Sequence, residues 1–179
     1  MLIYSIERIR DYASFFISIV SSYIYFTDGN YKDITNILAT YLVVDLFINR
    51  KIDVSIHHFL GLFLYSFIHV NELPEESENI IMRPFIALEV SSVFYNIICL
   101  YPNNRFSLLN NLLFFSTFFY YRIYKYYYSI LQNVDIQNII ENTKSSKHFY
   151  YFIIYNFYAL NIYWFSKMIK IIIKILRKL

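Results

Sequence analysis

Residues 84–101 read PFIALEVSSVFYNIICLY, an apolar run that carries one charge, Glu89. A run of this length is too long for a strand and falls within the roughly 17–25 residues that cross a bilayer as a helix. Pro84 suits the first turn of such a helix. Glu89, Ser92 and Asn96 follow one another at spacings of three and four, which places them on one helical face. The stretch therefore reads as a membrane helix with a polar stripe.

Working outward, five more segments have the same character: 12–27, 34–49, 54–70, 106–124 and 148–166. The first is short. Polar breaks separate them: Asp28-Gly29-Asn30, Arg50-Lys51-Ile52-Asp53, the acidic connector from Glu72 to Arg83 bracketed by Pro74 and Pro84, Pro102-Asn103-Asn104-Arg105, and a longer break over 132–147. Hydrophobic types make up 58% of the 179 residues and charged types 16%. A soluble domain carries about 25% charge and 45–50% apolar residues, and disorder needs the opposite bias. Two Gly and three Pro argue against linkers and turn-rich β-barrels. The 20 Tyr and 18 Phe carry less weight, because AT-rich codons enrich both. The expected fold is all-α: a polytopic integral membrane protein with about six transmembrane helices. Residues 1–33 supply a first span and its loop, 34–170 one domain, and 167–179 a basic tail.

The N-terminus does not resemble a cleavable signal, since Glu7, Arg8, Arg10 and Asp11 precede its apolar run. Arg8, Arg10, Arg50, Lys51, Arg105 and the tail cations fall on one side of six spans. Lys32, Arg83, Lys125, Lys144, Lys147 and the glutamate-rich connector fall on the other. That asymmetry places both termini in the cytosol. The tail spaces Lys167, Lys170, Lys174 and Arg177 by three and four. This suits an interfacial helix on anionic lipid as well as a last span with snorkelling lysines. Cys99 is the only cysteine, so no intrachain disulfide forms, and its apolar run suggests a small buried side chain. No basic cluster interleaves with exposed aromatics, so nucleic acid is not an expected partner.

Charges inside a bilayer are costly and usually face inward. The polar groups within the spans are Asp45, His57, His58, His69, Glu89, Ser91, Ser92, Asn96 and Arg122. His57 and His58 differ by about 100° around a helix, so both can border one crevice while facing different ways. Gly61, one turn on, lets a neighbouring helix or acyl chain approach. A neutral imidazole oriented by Asp45 or Glu89 can accept a proton from an amine or hydroxyl, and Arg122 can balance a carboxylate or hold an anionic headgroup. The other reading is a buried network that only fixes helix packing. Adjacent histidines lack the one-turn spacing of helical metal ligands, so no metal is expected. No nucleophile elbow surrounds Ser91 or Ser92, and no glycine-rich phosphate loop is present.

Five elements in order resemble the TLC domain, shared by ceramide synthases, translocating-chain-associated membrane proteins and TLC-domain-containing proteins. Thr40-Tyr41-Leu-Val-Val-Asp45 is similar to its Tyr-x-x-x-Asp signature. Ile56-His57-His58-Phe-Leu-Gly61 is similar to its double-histidine step. Leu88-Glu89-Val-Ser91-Ser92-Val-Phe-Tyr-Asn96 is similar to its Glu-x-Ser-x-x-x-x-Asn element. Phe118-Phe119-Tyr-Tyr-Arg122 and Leu160-Asn161-Ile-Tyr-Trp164-Phe165 are similar to its aromatic-Arg and Asn-x-x-Trp-Phe motifs. The elements span about 36–170. Ceramide synthases carry a His-Asp-x-x-Asp element after the double histidine. Here Glu89 keeps one carboxylate and Ser92 stands for the second, so the chain resembles the non-synthase branch most.

The resemblance implies an all-helical domain whose helices surround a lipid-accessible cavity, with lipid synthesis, sensing or lipid-linked trafficking as its business in the endoplasmic reticulum or a related endomembrane. The first expectation is a lipid-binding protein of membrane lipid homeostasis. Its lipid is a sphingolipid, a phospholipid or an acyl chain, and Ser92, Asn96, Arg122, Gly61 and Trp164 contact it. The second is an acyltransferase with His57, His58, Asp45 and Glu89 as its catalytic set. Acyl-coenzyme A would then be a substrate, and no cofactor is expected. The third is a non-catalytic trafficking or translocation partner. Oligomeric state is left open.

Overall fold

A computed structural model describes residues 2–29, 31–48, 51–102, 105–143 and 146–177, with side chains at all of these except 2–5 and 175–176. Asn30, Arg50, Asn103, Asn104, Lys144 and Lys178, used above in the breaks and the charge asymmetry, lie outside the described residues. Helices α1 (Leu2–Thr27), α2 (Tyr31–Ile48), α3 (Ile52–Val70), α4 (Glu75–Ile86) and α5 (Glu89–Leu100) come first. α6 (Ser107–Phe118) then runs into a π-helical stretch over Phe119–Lys125 and Tyr127–Leu131, followed by α7 (Val134–Glu141) and α8 (Lys147–Leu176). The described residues contain no strand, as the apolar run lengths predict.

Several boundaries depart from expectation. α1 is not short: its helix takes in the charged turn from Glu7 to Asp11 and spans 26 residues. The acidic connector is mostly helical. Pro74 precedes α4, and Glu75, Glu76 and Glu78 fill its first turn, where carboxylates favour the positive end of the helix dipole. Pro84 therefore lies inside α4 rather than at a helix start. A short turn at Ala87-Leu88, closed by Leu88 N–H to Phe85 O and Ser91 N–H to Leu88 O, joins α4 to α5. Taken as one rod, Glu75–Leu100 is long and apolar enough to cross a membrane, and it alone among the described residues passes that test. The expected count of about six spans is not reached on this measure. The 132–147 break contains α7, whose N-terminus is capped by Asn133 accepting from the N–H groups of Asp135 and Ile136. The basic tail is not a separate element. It continues α8 without a break to Leu176.

Two turns use non-glycine residues in the left-handed region, Asp28 (φ 50°) and Glu72 (φ 49°). At the Asp28-Gly29 turn the strained residue is the aspartate, whose short side chain tolerates that region. Its carboxylate pairs with Arg83 at 2.6 Å and accepts from the Tyr31 hydroxyl at 3.2 Å.

The buried stripe of α4 (Ile81, Met82, Phe85, Ile86) belongs to one core cluster with Leu60, Leu64, Phe67 and Ile68 of α3. The same cluster takes in Tyr126, Ile130 of the π stretch, and Tyr150, Ile153, Ile154 and Phe157 of α8, with the Phe85 ring edge-on to Tyr126 and to Phe157. The α8 residues recur at three- and four-residue spacings. Asn161 takes the next place on that stripe and is fully buried. The outer faces are apolar too: Phe47 is 88% exposed and Leu108 73%. Exposed large apolar side chains recur along α1, α2, α3, α6 and α8, more than soluble monomers usually show. Cys99, expected to be buried, is exposed on α5, because α5 turns Val90, Ser91 and Asn96 inward instead.

Candidate functional site

The site is assembled from α1, α2, α3, α4, α5, α8 and the π stretch. α2 contributes Asp45, which is 1% exposed, and α3 contributes His58, whose Nδ1 stands 3.2 Å from Asp45 Oδ2. Arg10 of α1 approaches the other carboxylate oxygen, with Nε 3.8 Å from Asp45 Oδ1. The carboxylate is thus flanked by an imidazole and a guanidinium. Tyr41, one turn before Asp45, sets its ring edge-on to His58 at 6.1 Å.

His57 faces another way, as the 100° step between adjacent helical residues requires. Its ring lies 5.8 Å from that of His58, 4.9 Å from Phe157 and 5.3 Å from Trp164. His57 and Glu89 line the same crevice of about 50 Å³, together with Thr35, Leu42, Gly61, Leu64, Tyr65, Met82, Phe85 and Phe157. The volume holds a few waters, and its walls are mostly aliphatic. A Cβ on Gly61 would stand 2.8 Å from Leu42 Cδ1, so the glycine sets the width of the slot between α2 and α3.

Arg122 lies on the π stretch, a rare helical form that often marks functional positions. It is buried, and its Nε donates to Ser91 Oγ at 2.7 Å and its Nη2 to Ser92 Oγ at 2.9 Å. Nη1 reaches Asn161 Oδ1 at 3.5 Å, and the guanidinium lies over the Phe118 ring at 5.4 Å. Glu89 and His57 are both within its electrostatic reach.

Trp164 sits beside His57 and donates its indole N–H to Asp53 Oδ2 at 3.0 Å, an oxygen that Lys167 Nζ also reaches at 3.2 Å. Asp53 precedes the apolar run of α3. Burial works to raise its pKa, but the Trp164 and Lys167 donors outweigh it and hold the carboxyl below its usual range.

The structure brings the expected residues into two linked groups. Asp45 and His58 form one. Arg122 and Ser92 form the other, with His57, Glu89, Gly61 and Trp164 between or beside them. Asn96 goes elsewhere: its side-chain amide donates to Ser18 Oγ at 3.2 Å and ties α5 to α1. His69 pairs with Tyr65 on the outer side of α3. Arg10, Asp53 and Phe157 were not expected at the site. The two charges lie at helix ends, where sequence reasoning assigns them to topology, and Phe157 is one aromatic among many. No group of three metal-ligating side chains occurs among the described residues.

A family model described as TLC domain matches residues 12–170 of the chain. No curated protein and no solved structure matches it.

Proposed function

The chain belongs to the TLC-domain family, and from that premise we propose that it is a multi-pass membrane protein that admits lipid to the α2–α3–α4–α8 crevice and serves membrane lipid homeostasis or sensing. The observation that carries this reading is the crevice itself, a mostly apolar slot with Thr35, His57, Tyr65 and Glu89 as its polar groups. An apolar wall with a few placed polar groups is the usual form of a small-molecule site. The exposed apolar outer faces support placement in a bilayer, and the count of about six spans rests on the lengths of the apolar runs in the sequence. The endoplasmic reticulum or a related endomembrane and cytosolic termini go with the same reading, the termini from the Lys and Arg asymmetry. Lipid mass spectrometry on the purified full chain tests it. Wild type should carry a lipid that Gly61→Leu, which plugs the slot, largely loses. Equal lipid content in the two proteins, or none in wild type, would count against it.

A second reading is favoured by the His58–Asp45 contact. In an acyl transfer, His58 would take the proton from an acceptor amine or hydroxyl as that group attacks the acyl-coenzyme A thioester. The coenzyme A thiolate would leave, and Asp45 would stabilise the imidazolium. Ser92, committed to Arg122, supplies no second carboxylate. Transfer from a long-chain acyl-coenzyme A to sphingoid bases or lyso-lipids, lost in His58→Ala, would support this reading.

A further inference from the structure

We propose that the end of α8, from Lys167 to Arg177, docks on the headgroups of an anionic leaflet, with Lys170, Lys174 and Arg177 holding lipid phosphates. The proposal goes beyond the crevice and holds whatever the crevice binds.

The first argument is length. α8 has 30 residues, about 45 Å at 1.5 Å per residue, whereas a hydrocarbon core is about 30 Å thick. One boundary is marked on α8 itself. Trp164 and Lys167 both reach Asp53 Oδ2 in the first turn of α3, and Trp and Lys are residues that anchor helices at the membrane interface. Beyond Lys167 the helix runs on to Leu176. That extension is about 13–14 Å long, more than the depth of one headgroup layer. Carried straight outward it would leave its far end in water, and an inclined course keeps it among the headgroups.

The second argument is what the extension exposes. Every described side chain from Ile169 to Lys174, and that of Arg177, is exposed, so the described part of the bundle does not cover this stretch. At about 100° per residue, Lys170, Lys174 and Arg177 fall within about 60° of one another, and Ile169, Ile171, Ile172 and Ile173 spread over the rest of the circumference. Isoleucines left in water cost free energy. A cationic arc beside an apolar one is the form of a helix lying in a membrane interface.

Charge supplies the third argument. Lys167 is engaged with Asp53 and lies over the Tyr163 ring. Among the described residues no carboxylate lies within 4.0 Å of Lys170, Lys174 or Arg177. The three cations and Ile173 line one open concavity. An anionic phospholipid offers a phosphate on an apolar stem and answers both kinds of side chain. A soluble acidic partner would answer the cations and leave the isoleucines in water.

The test uses the full chain with Cys99→Ser and Ile172→Cys, the new thiol carrying a nitrobenzoxadiazole fluorophore. Position 172 lies opposite the cations. The protein is placed in nanodiscs of phosphatidylcholine alone or mixed with phosphatidylglycerol. In the anionic discs the emission should shift to the blue, and iodide quenching should fall about fivefold or more, the weight of a single cation at an anionic surface. Both should return to their neutral-disc values on going from about 0.1 M to about 1 M salt, where the Debye length falls from about 10 Å to about 3 Å. Lys170→Gln, Lys174→Gln and Arg177→Gln together should abolish the difference between discs. These side chains are exposed, so melting curves should not change. A probe equally blue in both discs would make the stretch the plain end of a span. A probe in water in both would leave it to a soluble partner. A shift that survives the triple substitution would place the effect elsewhere. Each of these outcomes overturns the proposal and leaves the lipid-binding reading standing.

Discussion

His58 Nδ1 stands 3.2 Å from Asp45 Oδ2, and this contact joins α3 to α2 at the level where Arg10 of α1 reaches the same carboxylate. Three helices therefore share one buried charge. Asp45→Asn keeps the side-chain shape but removes that charge. It should lower stability by about 1–3 kcal/mol, as for a broken buried polar contact. The loss should shrink when His58→Phe is already present. Unfolding by sodium dodecyl sulfate in mixed micelles, run as a double-mutant cycle, measures both.

Arg122 donates along one edge of its guanidinium, from Nε to Ser91 and from Nη2 to Ser92. A lysine ammonium is a point charge and cannot reproduce that fork. Arg122→Lys should cost about 1.5–3 kcal/mol, the range for a hydrogen bond to a charged group, in the same unfolding assay. Ser92→Ala should cost less, since Ser91 still accepts.

Asn96 pins α5 to α1 through Ser18 and does not line the crevice. Asn96→Ala should reduce stability by about 0.5–1.5 kcal/mol while leaving lipid content unchanged. A loss of bound lipid without a loss of stability would return Asn96 to the lipid site.

The Asp53–Trp164 bond offers a pH readout, because Trp164 is the only tryptophan. The Asp53 pKa is lowered in the folded protein. Its contribution is therefore fully present above the ordinary carboxylate pKa of about 3.9. It is lost as pH falls through the lower folded value. Tryptophan emission should hold steady from neutral pH down to about 4 and change below that. Asp53→Asn should show the altered emission at every pH.

Much of the site is legible in residue types. Asp45, His57, His58, Glu89 and Arg122 stand out because ionisable groups inside apolar runs are costly, and helical periodicity predicts that the two histidines face different ways. Periodicity gives a face but not the neighbour across it, so the Asn96–Ser18 contact between α5 and α1 is not readable that way. Arg10 and Asp53 were hidden because helix-end charges also serve topology. The polar glutamates make Glu72–Arg83 look like a connector, although the place of Glu75, Glu76 and Glu78 in the first turn of α4 is what makes them favourable. Nothing in Phe119–Lys125 announces a π stretch, and that stretch carries Arg122.

The claim that lipid enters between the helices is tested most directly by photocrosslinking. A fatty acid with a mid-chain diazirine, incorporated into nanodiscs with the full chain, should label peptides containing Leu42, Gly61 and Met82, and Gly61→Leu should abolish that labelling. Labelling confined to outer-face residues such as Phe47 and Leu108, unchanged in Gly61→Leu, would contradict the account.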